Sequence, residues 1–318
     1  MIPKERFLAA LDRKPLTGLV PHFELVFFLT MEAFGKLCTA QRAYDQWDQM
    51  SKSEQRLHTE EIAQLQIDVA ERYGHSAIMF IPPRGWHDDD IRRCIERIIE
   101  KSDGKYAIAM HGDGTFSIPN GDGMMEFATR IAEDPEGLKK QAAESCDWCV
   151  RRCEKMRAWG VLDFLCLCSD YCFNNNPFFS PDQFDEFVTP YLAKIIKAQR
   201  EMGYYVVKHT DGNIMPILSS LAECNPHALH SIDPQGHVDI AQVKRLVGDK
   251  LCLIGNVSCA ALQTGTLEEV EHSVRYALEN GMPGYGYVFS TSNCVYTGMP
   301  LDRYDHMLGL WRKYGNYT

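Results

Sequence analysis

The stretch Tyr204-Tyr205-Val206-Val207-Lys208-His209-Thr210-Asp211-Gly212-Asn213 reads as a buried strand that stops in polar chemistry. Aromatic and β-branched residues fill its first half, as strands favour. His209, Asp211 and Gly212 then end it abruptly. A second stretch, Tyr287–Cys294, has the same shape and ends in Ser-Asn-Cys. Working outward, short β-rich runs alternate with helical patterns. The runs are Val20–Leu25, Ser76–Ile81, Tyr106–Met110, Phe164–Ser169, Tyr204–Lys208, Ala228–Ile232, Leu251–Ile254 and Tyr287–Ser290. Between and around them lie helical patterns at Pro3–Leu11, Leu29–Leu37, Ser51–Tyr73, Asp89–Lys101, Pro135–Trp159, Pro181–Met202, Ile214–Cys224, Val238–Val247, Thr266–Asn280 and Pro300–Tyr314. Ser51 and Glu54 are spaced as a capping box. Strands alternating with helices predict an α/β fold, a (β/α)8 TIM barrel with extra N-terminal helices in the long first connection. A doubly wound open sheet is the alternative. No repeat or Pro/Gly/Ser linker divides the chain, so residues 1–318 are expected to form a single domain.

The formal net charge is −10, which argues against a nucleic-acid surface, since that needs clustered Lys and Arg. No apolar run reaches the ~20 residues that span a bilayer. The first 20 residues carry Lys4, Glu5, Arg6, Asp12, Arg13 and Lys14 and no apolar h-region. A cytoplasmic location and reduced thiols are therefore expected for the twelve cysteines.

In such a barrel the site forms at the C-terminal ends of the strands. Those ends carry His22 and Glu24, then Pro82 to Arg84, His111 and Asp113, Asp170 to Cys172, His209 and Asp211, Asp233 and Gln235, Asn256, and finally Asn293 and Cys294. An Asp after a strand often caps the next helix, and Asp170 and Asp233 are open to that reading. His-x-Asp at a strand end puts two donors on one side, because alternate residues share a face. His209, Asp211 and Cys294 are acceptable zinc donors, and Glu24 could complete the shell. On spacing alone, the other reading stays open: His209 and Asp211 bind substrate through hydrogen bonds and Cys294 is a buried thiol.

Cys146, Cys149 and Cys153 share one helix face and read as core. Cys166 and Cys168 alternate on one strand face and read as barrel interior, with Cys172 nearer the mouth. Asp88-Asp89-Asp90 reads as a helix N-terminus. Phe27-Phe28 and Met124-Met125 read as core or pocket lining. No Gly-rich dinucleotide fingerprint and no Ser-His-Asp arrangement is recognisable.

The order of motifs resembles the uroporphyrinogen decarboxylase superfamily over nearly the whole chain. The resemblance lies in Pro3–Leu11 with Val20-Pro21, Ser180-Pro181-Asp182-Gln183-Phe184 with Pro190, Lys208–Asn213, Gly255-Asn256-Val257, Gly265–Val270 and Gly286–Ser290. It implies the barrel independently of the strand count, and it implies one of two chemistries. True decarboxylases act on the polycarboxylate uroporphyrinogen in porphyrin biosynthesis, without a cofactor, and carry an N-terminal arginine cluster. Here that region reads His22-Phe23-Glu24-Leu25-Val26-Phe27-Phe28, without the counter-charges. The other branch comprises zinc methyltransferases that work with corrinoid proteins, with ligands in a His-x-Cys after strand five and a Cys after strand eight. His209 and Cys294 match two of these positions, while Asp211 stands in place of the first Cys.

The resemblance therefore implies a methyltransferase that moves a methyl group between a small-molecule substrate and a corrinoid on a separate protein. Zinc or another divalent metal would sit on His209, Asp211 and Cys294. Asp170, His111 and Glu24 are the expected catalytic residues. His22, Tyr171, Asn256 and Asn293 are the expected substrate contacts. Barrels of this superfamily often pair, which makes a homodimer a further expectation.

Overall fold

The computed structural model describes residues 1–317. Strand β1 is Gly18–Leu19, followed by β2 Ala77–Met79, β3 Ala107–His111, β4 Phe164–Leu167, β5 Tyr205–His209, β6 Ala228–His230, β7 Cys252–Val257, β8 Tyr287–Thr291 and β9 Asn316–Tyr317. Strands β2 to β8 form one parallel sheet in chain order. The run expected as a first barrel strand, Val20–Leu25, contributes only an isolated bridge. His22 pairs in parallel with both His75 and Phe289, at the two edges of the sheet. Main-chain bonds from Ser76 N to the His22 carbonyl (2.7 Å) and from Phe289 N to the Pro21 carbonyl (2.9 Å) make the closure. The fold is a TIM barrel whose first strand is reduced to that bridge.

The interior is lined by small side chains: Ala77, Ala107, Ala109, Cys166, Ala228 and Cys252. They leave room at the N-terminal end for Phe7, Phe23 and Phe164, whose ring centroids lie 5.1 to 5.9 Å apart. Phe7 comes from helix Pro3–Leu11, which plugs that end. Below it, β1 and β9 pair antiparallel. The barrel therefore opens at its C-terminal end, where the strand-end residues stand.

Helix boundaries follow local chemistry. Ser51 and Glu54 form the capping box expected for Lys52–Tyr73. Thr266 and Glu269 do the same for Leu267–Gly281. The expected helix Pro181–Met202 is two helices, Pro181–Phe187 and Thr189–Glu201. Pro190 breaks it, because a proline has no N–H to continue the ladder. Helix Gly123–Glu133 was not anticipated, because it buries no residue and Met125 is exposed rather than pocket lining. Cys146, Cys149 and Cys153 are core residues on helix Pro135–Arg157.

One buried ion pair fastens the ends of three strands. Lys208 lies on the outer face of β5, opposite His209. Its ammonium donates to Asp113 Oδ2 (2.9 Å), the Ser169 carbonyl (2.9 Å) and the Leu167 carbonyl (3.3 Å). It also sits 4.3 Å from the Tyr171 ring centroid. Asp113 accepts from Ser169 N (3.0 Å), Thr115 N (2.9 Å) and the Thr115 hydroxyl (2.7 Å). Burial opposes its charge, yet Lys208 and these donors hold Asp113 well below the usual carboxylate range. Lys208→Met should strand that carboxylate and cost about 3–5 kcal/mol in urea unfolding. Adding Asp113→Leu should recover most of the loss, and no recovery would show that the pair is not the fastening element.

Candidate metal centre

At the end of β5, alternation sends Tyr205, Val207 and His209 into the barrel. The chain then turns sharply at Gly212, whose φ is +77°. A Cβ there would lie 2.6 Å from the Phe173 carbonyl oxygen, so no larger residue fits this approach. The turn is tied to its neighbours by acids on both sides: Asp211 N donates to Asp170 Oδ1 (3.2 Å) and Gly212 N to Asp233 Oδ2 (3.2 Å). Asp233 also caps Gln235 N (2.9 Å), the bland role foreseen for it.

Asp170, His209 and Asp211 offer donor atoms that all lie within 4.8 Å of one another. His209 Nε2 is 3.8 Å from Asp170 Oδ1 and 3.7 Å from Asp211 Oδ2. Exposure rises from floor to rim: the His209 side chain is 5% accessible, Asp211 25% and Asp170 45%. A ligand would therefore arrive over Asp170. On its inner side, His209 Nδ1 meets His230 Nδ1 at 2.7 Å. The two histidines are register partners on β5 and β6.

The electrostatics are strained. Burial, then the nearby charges of Asp170 and Asp233, push the Asp211 carboxyl up to about 8. Burial also raises Asp170 and Asp233. Burial and the neighbouring His230 hold His209 neutral, well below its usual range, and burial pushes His230 down to about 4. Asp211 Oδ1 is buried without a hydrogen-bond partner. An orphaned carboxylate oxygen, two crowded acids and an imidazole nitrogen fit a divalent cation, which would relieve both the repulsion and the missing bond.

The other expected site residues fall into two sets. Asn293 is at the centre, donating through its amide to Asp211 Oδ2. Cys294 is half-buried on the barrel interior and is not one of the three clustered donors; burial, then the Asp211 charge, keeps its thiol protonated. His111 stands at the mouth, and burial lowers its ring while Asp113 opposes that shift. Asn256 is buried and donates to the Ile232 carbonyl (3.0 Å).

Glu24, His22 and Tyr171 lie away from the opening. Glu24 is fully enclosed by Ser290, Thr291, Tyr304 and His22, so it is satisfied in place and does not complete the cluster. His22 is buried against His75 and Trp311 and bonds the Tyr73 carbonyl (3.1 Å). The Tyr171 hydroxyl pairs with Thr115 (2.6 Å) on the outer face. Sequence reading missed His230, while Cys168 is on the barrel interior as expected. Both alternate with interior positions, His230 with Ala228 and Cys168 with Cys166, which was the available signal. Burial first pushes the Cys168 thiol up to about 12.

Residues 117–314 match the model of the family described as uroporphyrinogen decarboxylase (URO-D). The chain belongs to that family. Among curated proteins, the methylcobamide:CoM methyltransferase MtaA of Methanosarcina barkeri is 31% identical over 112 residues. That match spans 34% of this chain and about a third (32%) of the length of that relative. Among solved structures, a methyltransferase from Methanosarcina mazei superposes with a TM-score of 0.74 at 18% identity, covering 99% of both chains. A D-allulose 3-epimerase from Methylomonas sp. gives a TM-score of 0.51 at 13% identity, over 94% of this chain and 97% of that one. These two likenesses are of fold.

The raised Asp211 carboxyl has a pH consequence. In the metal-free protein it holds a proton between the ordinary carboxylate range and about pH 8, where the unfolded chain has already released it. The native state then binds the extra proton, so stability falls as pH rises through that window. The difference in urea midpoint between wild type and Asp211→Asn, taken with chelator so that the histidines cancel, should decline from about pH 5 to about pH 8. A difference that stays constant across that window would place the titration elsewhere.

Proposed function

We propose that this URO-D barrel is a metal-dependent methyltransferase that moves a methyl group between a small oxygen-bearing substrate and a corrinoid carried by a separate protein. The observation that carries the metal half is the clustering of donor atoms of Asp170, His209 and Asp211 within 4.8 Å of one another. The curated relative's name supports the methyl half, because it specifies transfer from a methylcobamide. Zinc fits a neutral imidazole and two carboxylates, and other divalent metals with a taste for oxygen fit as well. When bound, the cation would supply Lewis acidity for an oxygen atom of the substrate. A site with one nitrogen and two oxygens is harder than one built on thiolates. It suits polarising an oxygen better than carrying a nucleophilic sulfur.

The chain's own groups have roles set by their positions. His209 Nε2 and one oxygen each of Asp170 and Asp211 would hold the cation. The Asn293 amide fixes the Asp211 carboxylate by donating to Oδ2, which leaves Oδ1 free to face inward. Asp170, the most exposed of the three, lies where substrate arrives. His111, whose ring is lowered from its usual range, can accept a proton at the mouth. Cys294 shapes the interior wall as a protonated thiol.

A decarboxylase of uroporphyrinogen is the competing activity suggested by the family's name. The acids Asp170, Asp211 and Asp233 converge at this mouth, and Lys208 is sequestered behind it by Asp113. A substrate rich in carboxylates would meet repulsion there. Incubation with uroporphyrinogen should yield no coproporphyrinogen; turnover at a useful rate would overturn the methyltransferase reading.

Metal content of protein purified anaerobically tests the cation site. Wild type should carry one equivalent of divalent metal. His209→Ala, Asp211→Asn and Asp170→Asn should each lose most of it, while Cys294→Ser should retain it. Loss in Cys294→Ser with retention in Asp170→Asn would restore the thiol as the third ligand.

A further inference from the structure

The contact between His209 and His230 is unusual, because two imidazole Nδ1 atoms face each other at 2.7 Å. At this distance two N–H groups would clash and two lone pairs would repel, so one of the two nitrogens carries the shared proton. Two arrangements exist. In one, His230 Nδ1–H donates to His209 Nδ1, and His209 Nε2 then bears a proton that faces Asp170 and Asp211. In the other, His209 Nδ1–H donates to His230, and His209 Nε2 presents a lone pair to the carboxylates.

We propose that His230 is a positioning residue that selects between these arrangements, accepting the His209 Nδ1 proton so that Nε2 can ligate a divalent cation. This rests on the cation site proposed above. Three features of the structure carry it. The two residues are register partners on adjacent strands, so the backbone fixes their contact. His230 is fully buried, and its Nε2 has no hydrogen-bond partner. The first arrangement points the His209 Nε2 proton at the carboxylates of Asp170 and Asp211, 3.8 and 3.7 Å away, which favours it in the metal-free protein. Asp211 Oδ1, two residues after His209, and Ser231 Oγ, next to His230, are also buried without partners.

The proton count closes. On loading, the His209 Nε2 proton leaves to solvent, the His230 Nδ1 proton crosses to His209 Nδ1, and His230 takes up one proton at Nε2, where the Thr291 main chain lies beside the ring. The pair begins and ends neutral, with two protons. Metal-bound histidines usually donate their second N–H to a carboxylate or carbonyl, and a carboxylate makes the ligand more basic. A neutral imidazole acceptor adds no negative charge. With two carboxylates already present, it preserves the Lewis acidity that an oxygen substrate needs.

The test uses full-length protein, zinc and cobalt(II) as probes, and three forms: wild type, His230→Phe and His230→Asn. Phe keeps the ring's shape and removes the acceptor. Asn places an amide oxygen close to where Nδ1 stood. Chelator competition should show zinc affinity reduced about 10- to 100-fold in His230→Phe and restored to within a few fold of wild type in His230→Asn. Long-range proton–nitrogen NMR of the wild type should show His209 protonated at Nε2 without metal and at Nδ1 with zinc. Unfolding midpoints check that each variant is folded, and the cobalt(II) absorption spectrum reports the ligand field in each. If folded His230→Phe binds zinc as tightly as wild type, the role of His230 is overturned while the cation site stands. If wild type binds no zinc, the cation site itself fails and this role with it.

Discussion

The buried ion pair between Lys208 and Asp113 is the constraint on which the mouth of this barrel depends. A lysine in the outer layer of a parallel sheet would be prohibitive without compensation, since its charge has lost water on every side. Here one carboxylate, two main-chain carbonyls and an aromatic face replace that water. The carbonyls belong to the end of β4 and the carboxylate to the loop after β3, so one ammonium sets the relative heights of three strand ends. His209 is the next residue along β5, and Asp170 the next residue after Ser169. The inward donors are thus placed by an interaction on the opposite face of the sheet. The pair also withdraws the nearest cation from the mouth, which leaves the acids there uncompensated.

That lack of compensation is the chemical content of the site. Asp211 is pressed from one side by Asp170 and from the other by Asp233, with its own environment largely dry. Such crowding costs stability, as functional sites commonly do. A divalent cation, as proposed, would convert the cost into binding energy, because the geometry that repels in its absence would coordinate in its presence. The donor set also biases the chemistry. A barrel of this family with imidazole and carboxylate donors favours oxygen over sulfur, which accords with methyl transfer on an oxygen-bearing substrate as proposed.

Much of this was legible in the residues. Seven of the strands stand where β-branched and aromatic runs end in polar residues, because a parallel strand buried on both faces leaves a clean apolar signature. Val20–Leu25 has the composition of a strand and closes the barrel at the expected place, but it does so through two bridges of the single residue His22, and so short a pairing has no sequence signature. Glu24 reads as a free acid at a strand end; only the fold shows Ser290, Thr291 and Tyr304 wrapped around it. The third donor proposed for the cation is a matter of reach. Family resemblance pointed to Cys294, whereas loop geometry brings Asn293 onto Asp211 and Asp170 onto His209, and such geometry cannot be read from spacing between distant strands. His230 gave no strand-end signal, because it is the last inward residue within β6 and the polar residues beyond that strand begin after it.

The central claim is that His209, Asp211 and Asp170 together hold one divalent cation at the mouth. Anomalous diffraction at the zinc edge, from crystals of the zinc-loaded protein, tests it most directly. The account predicts a single strong peak within bonding distance of His209 Nε2 and of one oxygen each from Asp170 and Asp211. A peak bonded to Cys294 or Cys168 in place of Asp170, or no peak at this mouth, would contradict it.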